Sequence, residues 1–154
     1  MSALERGLNK KLVRFKNELA MGREGLKSKS GAKALKAFQT AKDLYGRLAR
    51  SGEQNPFTRA LDQNLANAHF LLGASTYPSA PCKGAFHFRQ AHVLSPDDLK
   101  VKRRLNGMRL EADRVYREAQ AVSKMNPKGA HQRAAAALCL VPQGSTLYRS
   151  LKSL

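Results

Sequence analysis

The chain has 154 residues, with 28 Lys and Arg against 11 Asp and Glu and a formal charge of +17. A chain this long buries about 70% of the surface its unfolded form exposes, so it needs neither metal nor disulfides to fold, and its two cysteines exclude a disulfide-rich secreted scaffold. The charge directs attention to polyanionic partners and away from an isolated metabolic enzyme, and no apolar run approaches the roughly 20 residues that span a bilayer.

Strand signals are nearly absent, whereas helical spacing recurs along the whole chain. Leu4, Leu8, Leu12, Phe15, Leu19 and Leu26 predict a helix over about 3–21 with one apolar face. Gly25, Ser28, Ser30 and Gly31 then read as a flexible link. A second helix is expected over about 33–50, with Ala34, Leu35, Phe38, Ala41, Leu44, Tyr45 and Leu48 inward, stopped by Ser51 and Gly52. Asn55-Pro56 is a strong start signal, because Asn caps free N–H groups and Pro at the first helical position forfeits no hydrogen bond. The third helix should run over about 56–75 and the fourth over about 82–94, parted by a Pro-rich loop at 77–81.

Ser95-Pro96 ends the fourth helix, and Asp97 or Asp98 caps a long fifth helix over about 98–123. Its apolar residues Val101, Leu105, Met108, Ala112, Val115, Ala119 and Val122 alternate steps of four and three, which suits packing on its own neighbours. Asn126-Pro127-Lys128-Gly129 ends it. An Ala-rich helix near 130–140 and a short one near 145–153 follow. The fold class is therefore all-α, with short connections implying antiparallel neighbours.

His69, Leu72, Gly73, Thr76 and Tyr77 at the end of the third helix, followed by Gly84, Ala85, Phe88, Ala91 and Pro96, resemble a tetratricopeptide repeat. The resemblance covers about 65–98, with a weaker echo at Ala34, Phe38 and Ala41. It departs from the family at His69, where a tryptophan is usual, and in a loop before Cys82 that is one residue long for the family. It implies antiparallel hairpins stacked as a short α-solenoid, with a long fifth helix and short C-terminal helices beside them. The divisions expected are a basic N-terminal helix and link (1–32), a helical-repeat domain (33–124) and a C-terminal extension (125–154). The resemblance also implies a concave surface for proteins, near Asn64, Asn67, Lys100 and Arg104. Lys100 and Arg104 align with two basic members of a peptide-terminus clamp. Phe70 and Ala74 stand where its other members would be, so the full clamp is not expected.

Little in the sequence carries chemistry. His87 lies five residues from both Cys82 and His92, which puts these side chains on different helix faces, and no Cys-x-x-Cys or His-x-x-x-His pairing suggests a metal. Cys139 lies in an apolar run, where a thiol packs. No nucleophile elbow, phosphate loop or paired-carboxylate motif is present. No catalytic residue, metal or cofactor is expected.

The basic residues are the strongest functional signal. Lys10, Lys11, Arg14, Lys27, Lys29 and Lys33 crowd the N-terminal part, and Lys102, Arg103, Arg109, Arg114 and Arg117 line the fifth helix. With no tryptophan and no RNA-recognition consensus, these cations suit phosphate contacts of low sequence specificity, to structured RNA. The expectation is a non-catalytic subunit of a ribonucleoprotein, most plausibly a ribosome. It would bind rRNA through basic helices and neighbouring proteins through the repeat. The alternative is an adaptor for an acidic protein partner. A membrane partner is not favoured. The basic amphipathic start resembles an organellar transit helix, though Glu5, Glu18 and Glu24 depart from that pattern, so an organellar compartment such as the mitochondrial matrix is expected, with the cytoplasm as the alternative.

Overall fold

A computed structural model describes residues 3–48 and 56–154. The expected stop at Ser51-Gly52 and the cap at Asn55 lie outside these residues, as do the side chains of Leu4 and Leu48. Among the described residues there are helices and no strands: α1 (Ala3–Lys27), α2 (Gly31–Leu48), α3 (Pro56–Thr76), α4 (Pro81–Leu94), α5 (Leu99–Val122), α6 (Pro127–Ala137), a 3-10 turn (Leu138–Leu140) and α7 (Thr146–Lys152). They pack as successive pairs, α1 on α2, α3 on α4 and α5 on α6, and each pair packs on the next.

Local chemistry accounts for the helix starts. The Asp98 carboxylate accepts from the Lys100 N–H at 2.8 Å, and Asn126 Oδ1 accepts from the Gly129 N–H at 2.8 Å. Ser145 Oγ accepts from the Tyr148 N–H at 3.1 Å. Pro56, Pro81 and Pro127 each open a helix, where their missing N–H costs nothing.

The expected flexible link is a correction. α1 runs on to Lys27 and closes in a tight turn, with the Ser30 N–H donating to Gly25 O at 2.8 Å and the Lys29 N–H to Leu26 O at 3.1 Å. That is the Schellman pattern, and Lys29 occupies its left-handed position with φ 54°. Gly25, which reads in sequence as flexibility, is instead a contact. A Cβ there would lie 2.7 Å from the Ala34 backbone nitrogen.

The first two hairpins close by the same device. A Cβ on Gly22 would meet the Phe38 ring at 2.6 Å, and one on Gly73 would meet the Phe88 ring at 2.9 Å. Both phenylalanines are fully buried. Burying such a ring contributes about 1.5–3 kcal/mol relative to leaving it in water. The second helix of every hairpin repeats one spacing: Ala34, Phe38, Ala41, Leu44; Gly84, Phe88, Ala91, Leu94; Ala130, Ala134, Ala137, Leu140. All of these positions are buried except Leu94, which is half-buried. The third copy escapes the sequence reading because Ala134 replaces its aromatic residue.

The core is continuous along the row. One cluster joins Phe15, Phe38, Leu44, Leu61 and Leu65 across α1–α3, and Ala66, Ala91 and Val101 tie α3, α4 and α5 together. A third runs from Tyr77 and Phe88 through Met108 and Ala112 to Leu140, Val141 and Leu151, so α6 and α7 share their core with α4 and α5. α5 buries Val101, Met108, Ala112 and Ala119 against these neighbours, as its spacing predicts.

α1 departs from its predicted face. Leu8 and Leu12 remain 49% and 43% exposed. The hairpin sets Gly25 against Ala34, Gly22 against Phe38 and Phe15 near Tyr45. Continuing that pairing puts Leu12 level with Leu48, the last described residue of α2.

Candidate nucleic-acid interface

Charge is distributed unevenly along the row. Residues 1–48 hold twelve Lys and Arg and four acids, residues 49–98 hold four of each, and residues 99–154 hold twelve and three. The central segment 49–98 is therefore neutral and the flanks carry the excess.

On the N-terminal flank, Lys10, Lys11 and Arg14 are exposed along the first half of α1. Lys27 ends α1, Lys29 sits in the turn and Lys33 lies in the first turn of α2, so the hairpin tip gathers three exposed cations. None of these six is in an ion pair among the described residues, where the pairs are Lys42–Asp62, Lys102–Asp97, Arg114–Glu118 and Arg117–Asp113.

α5 presents a different surface. Three of its expected phosphate contacts already have a carboxylate: Lys102 with Asp97 at 3.2 Å, Arg114 with Glu118 at 3.5 Å and Arg117 with Asp113 at 2.7 Å. Arg109 donates to Asn106 Oδ1 from both Nε and Nη2 at 3.3 Å. Arg103 is exposed and outside these pairs. Such exposed pairs are worth little energetically, but a phosphate must compete with the acid for each cation.

The expected protein-binding residues divide. Lys100 is exposed, while Asn64 and Asn67 are half-buried on α3. Arg104 folds inward, with its guanidinium carbon 4.3 Å from the Tyr77 ring centroid and 5.1 Å from that of Phe88. This cation–π stack holds Arg104 as part of the packing. The Tyr77 hydroxyl donates to Glu111 Oε2 at 2.6 Å, and its pKa is pushed up to about 12, by burial first and then by the Glu111 bond.

Sequence reasoning missed three connections. Cys139 does not simply pack: it forms a disulfide with Cys82, 57 residues away. Arg89 Nη2 donates to the Cys139 carbonyl beside this disulfide, and to Val141 O at 3.4 Å. Together they fasten the segment after α6 to α4. Burial lowers the Arg89 pKa. Finally, His69 and His87 meet across α3 and α4, with their Nδ1 atoms 3.0 Å apart. The spacing of His87 to His92 could not show this. Pairing α3 antiparallel to α4 about the 77–81 loop would have brought 69 and 87 level.

Among the described residues, no group of three or more His, Cys, Asp or Glu is arranged to hold a metal, and no helix is long and apolar enough to cross a membrane. Comparison with protein-family models, curated proteins and solved structures returns no match.

Proposed function

We propose that this chain is a non-catalytic RNA-binding subunit of a ribonucleoprotein, ribosomal in the most direct reading, built from degenerate tetratricopeptide-like units stacked as a short α-solenoid. The observation that carries the reading is the set of exposed, unpaired cations on the first hairpin: Lys10, Lys11, Arg14, Lys27, Lys29 and Lys33. Cations without acids can take phosphates directly and release their counterions. The self-paired cations of α5 serve as a weaker second contact. The repeated Gly–Phe closure and the shared spacing of α2, α4 and α6 support the repeat reading. Protein neighbours would sit on the central hairpin, where charge is sparser and Phe86 and Val93 stand exposed. An adaptor gripping an acidic peptide is less well supported, because Arg104 is committed to Tyr77. Ribosomes occupy reducing compartments, where Cys82 and Cys139 would rest as thiols and close into the disulfide only on oxidation.

Anisotropy titration of a structured RNA against salt tests the proposal. Replacing Lys27, Lys29 and Lys33 with Gln should flatten the log–log salt slope by about 2, at roughly 0.7–0.9 per lost phosphate contact. Replacing Lys102, Arg114 and Arg117 with Gln should change it less. Binding with no salt dependence, or equal losses from the two triples, overturns the reading. Recovery of RNase-sensitive rRNA with the chain from its own cells would identify the particle.

A further inference from the structure

The α3–α4 hairpin carries a feature independent of the basic surface. His69 and His87 face one another from adjacent helices, with Nδ1 atoms 3.0 Å apart and ring centroids 5.3 Å apart. A hydrogen bond at that separation needs one ring protonated on Nδ1 and the other bare. Burial lowers the pKa of both rings, and for His69 the neighbouring His87 lowers it further. Neutral imidazole is the form that ligates metal.

The geometry is close to that of a chelate. A tetrahedral ion 2.0–2.1 Å from each nitrogen sets the two nitrogens about 3.3 Å apart. To exchange the shared proton for an ion, the nitrogens would have to part by about 0.3 Å and both rings would have to tilt, because a hydrogen bond lies along the N–N line and a tetrahedral ion lies off it. The helices that hold them are fixed by Gly73 against Phe88 and Gly84 against Tyr77. Both rings are half-buried, and His87, though not His69, also lines an open cavity with Thr76, Cys82, Lys83 and Phe86.

We propose that His69 and His87 form a two-imidazole site for a borderline transition-metal ion such as Zn²⁺, with water completing the coordination shell. The donating ring moves its proton from Nδ1 to Nε2 through solvent, both Nδ1 lone pairs bind the ion, and the neutral pair loses no proton overall. Imidazole suits zinc, copper and nickel, whereas hard ions such as Mg²⁺ prefer oxygen.

The test is Zn²⁺ binding by tag-free protein, read by calorimetry and by the histidine nitrogen resonances. One saturable site per chain is expected, with both Nδ1 resonances shifting together. His69→Gln and His87→Gln should each weaken it by more than the roughly 10–100-fold that losing an outer-shell partner costs. His131→Gln should leave it unchanged. Zinc binding indifferent to both histidine substitutions overturns the site. Should either histidine variant lose its helical circular dichroism, the wild-type nitrogen resonances decide, and Nδ1 signals that do not move with zinc overturn it.

Discussion

Replacing Gly84 with alanine would place a methyl group 2.6 Å from the Tyr77 Cα and 2.8 Å from its backbone nitrogen. Ordinary contact begins at 3.4 Å, so α3 and α4 would have to part by nearly an ångström. Tyr77 cannot yield alone, because its hydroxyl is bonded to Glu111 and Arg104 lies over its ring. Overpacking of this kind costs about 1–3 kcal/mol, and contact against backbone belongs at the upper end. Alanine returns about 1 kcal/mol of helix propensity, leaving a net loss of about 2 kcal/mol. For a chain of this size that lowers the melting temperature by about 4–8 °C. Gly107 is the control: it lies within α5, and a Cβ there meets nothing within 4 Å. Gly107→Ala should therefore raise the melting temperature by about 2–4 °C through propensity alone. Scanning calorimetry of the two variants beside wild type makes the comparison. If Gly84→Ala melts at or above wild type, α3 and α4 are not in backbone contact, and the argument for glycine-closed hairpins fails with it.

Lys29→Gly should stabilise the chain by about 1 kcal/mol in urea unfolding, because only the lysine meets a steric penalty at φ 54°. Replacing Cys82 and Cys139 with serine should lower stability by about 2–4 kcal/mol, since the 57-residue separation otherwise restricts the unfolded chain. Wild type in excess dithiol should match that variant, and no change in either would place the cysteines apart. The His69–His87 pair sets a pH dependence. Both folded pKa values lie below 6.5, so the unfolded chain binds protons first and stability falls as pH drops below about 6.5. The double variant His69→Gln, His87→Gln should flatten that fall when melting temperature is followed from pH 7.5 to pH 5.

Helix existence and most helix ends were legible in the sequence because they depend on near neighbours. Apolar residues three and four apart define a face, and Pro56 and Asp98 mark starts whatever lies across the molecule, whereas Asn126, read in the sequence as the end of the fifth helix, also caps the start of α6. The charge excess is likewise a property of composition. What the sequence could not determine is what each side chain meets from elsewhere in the chain. Gly25 has the same local preference whether it loosens a link or admits Ala34, and the outcome depends on how closely α1 and α2 approach. Leu8 and Leu12 have the spacing of core residues, yet both remain largely exposed. Arg104 and Lys100 look equivalent as cations until the Tyr77 and Phe88 rings claim one of them. The pairing of Arg114 with Glu118 is the opposite case, since an acid one helical turn away on the same helix is legible in the sequence. Cys82 with Cys139 and His69 with His87 are joined only by packing, at separations of 57 and 18 residues. Local pattern sets each helix and its charge, and tertiary contact decides which of its groups remain free to bind.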